Sequence, residues 1–277
     1  MGFRLLVADI DGTLVTGDRR ITPKVRAAVR GAQEAGVRVC LATGRMWRSA
    51  EPYVLALGAD PPAILYNGGL VYDFRTGTEW RRLHLEQAHA RAVLEILRHF
   101  PEVQPHLYVG DQVYTGRMNE ITERYQRKDG LQVTAVGDLL AFLPPDPMKI
   151  LIIGPRPSLE QVARAVAALP AAINTVFSED TYLEILPTGS SKGDALRFVA
   201  ARLGVPLAET IAVGDNLNDL EMIRIAGVGV AMGNAPAELK AHAGYIAPSN
   251  DEEGLADVID RFVLGGEHGA TSREVHR

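Results

Sequence analysis

The first eighty residues alternate short, wholly apolar runs with longer amphipathic ones, which is the pattern of β-α-β units feeding a parallel sheet. Phe3 to Ala8 predicts a buried strand, and Thr22 to Ala35 a helix with Thr22 as N-cap, Pro23 at its first position and Gly36 as its stop. A second strand is expected at Val37 to Ala42, a second helix at Met46 to Leu57 closed by Gly58, and a third strand at Ala63 to Tyr66. Asn67-Gly68-Gly69 then turns the chain into Leu70 to Tyr72 as a hairpin.

From about Arg82 the pattern changes. Helices are predicted at Gln87 to His99, Gly116 to Arg127 and Leu159 to Leu169. Between them lie short strands at Leu107 to Val109, Gln112 to Thr115, Leu131 to Val136, Met148 to Ile153, Ile173 to Phe177 and Tyr182 to Leu186. Paired short strands point to antiparallel pairing, and thus to an α+β module. After Pro187 the β-α alternation returns: helix Lys192 to Leu203, strand Thr210 to Val213, helix Asn218 to Ile225, strand Val228 to Ala231, then helices Ala235 to His242 and Glu252 to Val263. The two flanking stretches, 1–82 and 187–277, read as halves of one α/β domain interrupted by the module 83–186, and the polar tail from Gly265 to Arg277 is expected to be disordered.

Composition narrows the class. With 47% hydrophobic and 23% charged residues in 277, the chain is globular, neither fibrous nor disordered. A net charge of −5 provides no basic footprint for nucleic acid or an anionic membrane. The single cysteine, Cys40, cannot close an intrachain disulfide and reads as a buried thiol, which suits a reducing compartment. No stretch approaches the ~18 apolar residues needed to span a bilayer, and no signal peptide is recognisable, so a cytoplasmic location is expected.

Four short sites sit where ligands gather in open α/β sheets, at strand ends and helix starts. Asp9-Ile10-Asp11-Gly12-Thr13 ends the first strand: two carboxylates two positions apart can face one point, or simply form an acidic exit. Thr43-Gly44-Arg45 ends the second and opens a helix, where a hydroxyl and free N–H groups suit a phosphoryl oxygen, although on its own the motif is better explained by plain capping. Lys192 starts a helix against its dipole, which costs a few tenths of a kcal/mol and hints at function, although a lysine taken alone is usually solvated surface. Gly214-Asp215-Asn216-Leu217-Asn218-Asp219 follows the strand Thr210 to Val213 and can set Asp215 and Asp219 on one side. Four acids converging at one sheet edge, Asp9, Asp11, Asp215 and Asp219, would repel unless a divalent cation sat among them, and oxygen-only donors favour Mg²⁺ over zinc.

In this order the motifs DxDGT, TGR, a lone Lys and GDxxxD resemble the haloacid dehalogenase superfamily of phosphohydrolases. Asn67-Gly68-Gly69, the run Tyr182-Leu183-Glu184-Ile185 and Gly214 to Asp219 with Met222 are similar to its Cof-type subfamily. The resemblance implies a Rossmann-like parallel-sheet core with an inserted α+β cap, in agreement with the boundaries above. It implies further that Asp9 is a nucleophile forming an aspartyl-phosphate and that Asp11 is the general acid and base. Mg²⁺ would be held by the Asp9 carboxylate, the Asp11 carbonyl and Asp215, with Asp219 as ligand or support. Thr43, Gly44 and Lys192 would bind phosphoryl oxygens, with Asn218 reaching the phosphate or Asp9. Arg45 and Asn67 are candidates for contact with the leaving group or else plain turn and surface residues, and Glu184, near the return from cap to core, is a hinge or substrate candidate. His84, His89, His99 and His106 form no i, i+4 pair and read as solvated, while Trp47 and Trp80 read as packing residues.

The reading that follows is a Mg²⁺-dependent phosphomonoesterase acting on a small phosphorylated metabolite, such as a sugar phosphate or a phosphorylated cofactor, and operating as a monomer or dimer. A phosphosugar mutase of the same superfamily is one alternative. A non-catalytic phospho-acceptor module is another, disfavoured by the chain's length and cap. A dinucleotide binder would need the GxGxxG that is missing after the first strand.

Overall fold

The structure, a computed structural model, describes residues 2–171 and 173–265, so the expected disorder of the tail beyond Gly265 lies outside the described residues. The chain opens with β1 (Leu5–Ala8), α1 (Pro23–Glu34), β2 (Arg38–Leu41), α2 (Trp47–Leu57), β3 (Ala63–Leu65), β4 (Leu70–Asp73) and β5 (Thr78–Arg82). The middle carries α3 (Gln87–Leu97), β6 (Gln104–Val109), β7 (Gln112–Thr115), α4 (Glu120–Asp129), β8 (Val133–Ala135), α5 (Leu139–Phe142), β9 (Lys149–Ile153), α6 (Arg156–Ala167), β10 (Asn174–Glu179) and β11 (Tyr182–Leu186). The last stretch holds α7 (Lys192–Leu203), β12 (Thr210–Gly214), α8 (Leu220–Ile225), β13 (Val228–Ala231), α9 (Ala237–Lys240), β14 (Tyr245–Ile246) and α10 (Gly254–Phe262).

The fold is α/β with a parallel sheet at its core, in the order β14-β13-β12-β1-β2. A single parallel bridge from Ala42 to Ile64 continues the sheet towards the antiparallel β3-β4-β5 hairpins. Strand alternation divides the core in two. Leu6, Ala8, Val39, Leu41, Ile211 and Val213 pack with buried residues of α1 and α10, whereas Leu5, Val7, Cys40, Ala42 and Ala212 pack with Leu196 and Val199 of α7. All four residues of β1 are fully buried because helices cover both faces, which is why the strand is an uninterrupted apolar run. Each such Leu or Val contributes about 1.5–3 kcal/mol by burial.

Residues 104–186 form a second, six-stranded sheet, β10-β11-β9-β6-β7-β8. One face carries Leu107, Ile150, Ile152, Leu183 and Ile185 and packs on α3 and α6. The other face therefore presents Tyr108, Lys149, Leu151, Tyr182 and Glu184, all of which line the cleft described below.

Several local expectations shift. The helix expected from Gly116 starts at Glu120, because Asn119 caps it by accepting from Thr122 N at 3.0 Å. The helix expected from Leu159 begins at Arg156, since Pro155 and Pro157 suit a first turn. β5, α5 and β14 carry no sequence signal that predicts them: β5 lacks a buried apolar face, α5 is a single turn capped by Asp138, and β14 spans only two residues. In the second sheet β7 and β8 pair parallel, an exception to the antiparallel expectation made possible by the intervening α4. His106 is fully buried, not solvated, bonded to Thr122 and lowered to a pKa of about 4 by burial. Among the described residues no helix is long and apolar enough to cross a membrane.

Candidate active site

The site lies at the carboxyl ends of β1, β2 and β12. β1 is the switch point of the sheet, because its neighbours β2 and β12 continue the chain on opposite sides and leave a crevice at the strand end. Asp9 follows β1 directly, tied to the sheet by its N–H donating to Val213 O at 3.0 Å. The chain then turns sharply over Ile10–Leu14, with Gly12 at φ +74°. A Cβ on Gly12 would stand 2.2 Å from Asp215 Oδ2, so only glycine lets the two motifs meet.

One carboxylate oxygen each from Asp9, Asp215 and Asp219 lies within 4.8 Å of the others. Lys192, fully buried at the first position of α7, stands among them and donates to Asp9 Oδ1 (2.9 Å) and Asp219 Oδ1 (2.6 Å). Its placement there, against the helix dipole, is compensated by these two charges, which outweigh burial and keep the ammonium protonated. Asp219 is completely committed: its Oδ2 accepts from the backbone N–H groups of Asp215 and Asn216, both at 3.0 Å. Asp215 Oδ1 accepts from Thr13 Oγ1 at 3.0 Å. The second oxygens of Asp9 and Asp215 have no hydrogen bond among the described residues. Burial raises Asp9 to a pKa of about 7 against the pull of Lys192, and burial plus the charges of Asp9 and Asp219 raises Asp215 to about 9. Three carboxylates facing one ammonium form an oxygen-only set with a deficit of positive charge, which a hard divalent cation fits.

Asp11 departs from the expected cluster. Its carboxylate turns away and is gripped by Arg45, Nη2 donating to Oδ1 (2.6 Å) and Nε to Oδ2 (2.7 Å). Burial alone would raise this carboxyl, but the bidentate bonds prevail and hold it below the usual range. The Thr43-Gly44-Arg45 loop also differs in detail from a helix start, because α2 begins only at Trp47. Two of its N–H groups are used internally, Thr43 N on Ile64 O (2.8 Å) and Arg45 N on Thr43 Oγ1 (3.1 Å). That leaves the Thr43 hydroxyl proton and the Gly44 N–H without a hydrogen-bond partner among the described residues, on two residues that line the cleft. Asn218 donates to Asn67 Oδ1 at 3.0 Å, while Asn67 Nδ2 and Asn218 Oδ1 are buried without partners among the described residues.

Above these groups is a cleft of about 290 Å³, closed by the second sheet. Lys149 Nζ reaches down from β9 to donate to Gly44 O (2.9 Å) and to Glu184 Oε2 (2.7 Å). Lys149 and Glu184 are buried, as diagonal neighbours on adjacent strands. At the mouth Arg19 Nη2 meets Asp129 Oδ1 at 3.1 Å, and Asn216 Nδ2 donates to Ser178 O at 2.7 Å. The structure thus gathers Asp9, Asp11, Thr43, Gly44, Arg45, Glu184, Asp215 and Asn218 along one cleft, with Lys192, Asp219 and Asn67 supporting them from behind. Sequence reasoning missed Lys149, Arg19, Asp129, Asn216 and the tyrosines Tyr108, Tyr125 and Tyr182. Lys149 and Glu184 did leave a signal, as lone charges inside two otherwise apolar strands.

The chain is similar to several known proteins. A family model described as haloacid dehalogenase-like hydrolase matches residues 6–259. An HMP-PP phosphatase of Serratia proteamaculans is 34% identical over 250 residues, 86% of this chain and 87% of that protein. A pyridoxal phosphate phosphatase of Escherichia coli is 28% identical over 269 residues, covering 94% and 98%. The crystal structure of a haloacid dehalogenase-like hydrolase from Bacteroides thetaiotaomicron superposes with a TM-score of 0.82 at 30% identity, covering 94% of this chain and 99% of that one.

Proposed function

The chain belongs to the haloacid dehalogenase-like hydrolases and is a phosphatase, and from that premise we propose that it hydrolyses small phosphomonoesters through a phosphoryl group carried on Asp9. The observation that carries this is the uncommitted second oxygen of Asp9, held at the floor of the cleft by Lys192. Relatives named for HMP-PP and pyridoxal phosphate support small phosphorylated substrates.

Asp9 attacks phosphorus, a P–O bond forms to its carboxylate, and the ester P–O bond breaks in line. Asp11 supplies the proton to the leaving oxygen, then takes one from the water that attacks the phosphorus and frees Asp9. In the arrangement seen Asp11 is ionised on Arg45, the form that accepts a proton from water; a phosphate dianion beside it favours the protonated form that donates. Thr43 Oγ1 and Gly44 N–H bind phosphoryl oxygens, and Lys192 offsets the charge of both nucleophile and phosphate.

Asp9 and Asp215, through their free oxygens, would hold Mg²⁺; Asp219, with both oxygens committed, orders Lys192 and the Asp215 loop instead of binding directly. When bound, the cation neutralises phosphoryl charge so that a carboxylate can approach. The module 83–186 acts as the cap that closes the cleft. With p-nitrophenyl phosphate, phosphate release should require Mg²⁺ and vanish with EDTA and in Asp9→Asn; metal-independent turnover, or activity in that variant, sinks the proposal. A mutase would instead yield isomerised ester without free phosphate.

A further inference from the structure

In the loop Thr43-Gly44-Arg45 the core itself supplies a partner for every polar backbone atom of Thr43 and Arg45. Thr43 N donates to Ile64 O (2.8 Å) and Thr43 O accepts from Asn67 N (3.0 Å), while Arg45 N donates to Thr43 Oγ1 (3.1 Å) and Arg45 O accepts from Tyr66 N (3.1 Å). The Gly44 carbonyl is the exception. Its donor is Lys149 Nζ at 2.9 Å, 105 positions away on β9 of the module 83–186. A covered carbonyl needs some donor, and one from the loop's own domain would serve stability equally well. A donor from the other domain is present only while the two are closed on one another.

Lys149 is suited to this and poorly suited to holding substrate charge. It is 3% exposed, and it donates to Glu184 Oε2 at 2.7 Å on the neighbouring strand β11. That pair lies wholly within the cap sheet, so it orients the lysine whether the cleft is open or shut and offsets its charge. Gly44 contributes by having no side chain: a Cβ there would stand 3.3 Å from Glu184 Oε1, so glycine lets the cap sheet lie directly on the loop.

The Gly44 carbonyl and the Arg45 N–H belong to one planar peptide unit. Lys149 holds one end of that unit and Thr43 Oγ1 the other. Because Oγ1 accepts from Arg45 N, its proton is left for a phosphoryl oxygen. The same unit leads into Arg45, whose side chain grips Asp11 at 2.6 and 2.7 Å. We propose that Lys149 is a positioning residue for phosphoryl transfer: by donating to the Gly44 carbonyl from the cap, it fixes the peptide that orders the Thr43 hydroxyl, so the phosphate loop is competent only while the cap is closed. This rests on the phosphatase reading of Asp9 and on the cap role of 83–186. Misplacing a positioned group by about 1 Å can cost on the order of a hundredfold in rate.

Lys149→Met alone strands Glu184, so the test variant combines Lys149→Met with Glu184→Gln. Its hydrolysis of p-nitrophenyl phosphate with Mg²⁺ is compared with wild type, and the same pair of changes is made beside Thr43→Ala. The expectation is a fall in kcat of at least tenfold with KM within threefold, shrinking to less than threefold where Thr43 is already alanine. An equal loss in both backgrounds, or a loss carried by KM, shows that Lys149 acts on the substrate or on stability alone and overturns the inference. Hydrogen exchange followed by NMR needs no turnover: the Arg45 amide should exchange at least tenfold faster in the variant, while the Thr43 amide, held by Ile64 O, keeps its rate. An Arg45 amide that stays protected also overturns the inference. Should the double change fail to fold by circular dichroism, Lys149→Gln is judged by the same criteria. If wild type shows no Mg²⁺-dependent hydrolysis, the phosphatase reading fails by itself, and the exchange rates still decide whether Lys149 sets the loop.

Discussion

Asp215→Asn should inactivate the enzyme and yet stabilise it when metal is removed. Burial, then the charges of Asp9 and Asp219, push Asp215 to a pKa of about 9, whereas in the unfolded chain it titrates near the ordinary carboxylate value of roughly 3.9. Between those two values the folded protein holds a proton that the unfolded chain releases, so stability falls as pH rises across the window. Asparagine has no proton to hold and can still accept from Thr13 Oγ1. Each tenfold difference in proton affinity between the folded and unfolded chain corresponds to about 1.36 kcal/mol. Because Asp9 takes up part of the relieved repulsion, the expected gain at pH 8 is about 2 kcal/mol, or roughly 4–8 °C in Tm. Differential scanning calorimetry in EDTA at pH 5 and pH 8 reads it directly, with a smaller gain at the lower pH. Magnesium should then reverse the order: at about 100 times Kd it stabilises wild type by roughly 2.7 kcal/mol and does little for the variant. A variant less stable than wild type in EDTA at pH 8, or a gain indifferent to pH, would refute the account of this cluster.

Arg45→Ala releases Asp11 from its bidentate grip, and should lower kcat tenfold or more and move the carboxylate limb of the kcat/KM profile to higher pH, as steady-state rates across pH will show. Gly12→Ala places a methyl 2.2 Å from Asp215 Oδ2 at φ +74°, so Mg²⁺ affinity by calorimetry and activity should both collapse while the fold persists. Lys149→Met removes the bond to the Gly44 carbonyl and strands Glu184, and a loss of about 3–5 kcal/mol is expected in urea unfolding. Cys40, fully buried with its thiol pushed up to about 12 by burial, should resist Ellman's reagent until the protein unfolds.

The parallel core and the residues gathered at its carboxyl edge were legible because their information is local. A buried parallel strand must be apolar on both faces, so β1, β2 and β12 announce themselves, and a strand end that turns at once into a helix or a glycine turn exposes chemistry within a few residues. Thr22 before Pro23, and Gly58 and Gly204 after α2 and α7, mark helix ends for the same local reason. Where the local signal was thin, as in β5 and the single turn α5, the elements were lost.

What tertiary structure alone decided is which charge meets which. Arg45 and Asp11 lie 34 positions apart, Lys149 and Gly44 lie 105 apart, and Arg19 and Asp129 lie 110 apart. Sequence by itself placed Asp9, Asp215, Lys192 and the Thr43-Gly44-Arg45 loop at strand ends and a helix start. Only the closed fold drew Asp11 out of the carboxylate cluster and onto Arg45, buried Lys192 between Asp9 and Asp219, and paired the outer charges across the cleft. The reason is physical: periodicity and capping act over a turn or a strand, whereas the energy of a charge depends on partners and burial that exist only once distant segments have packed.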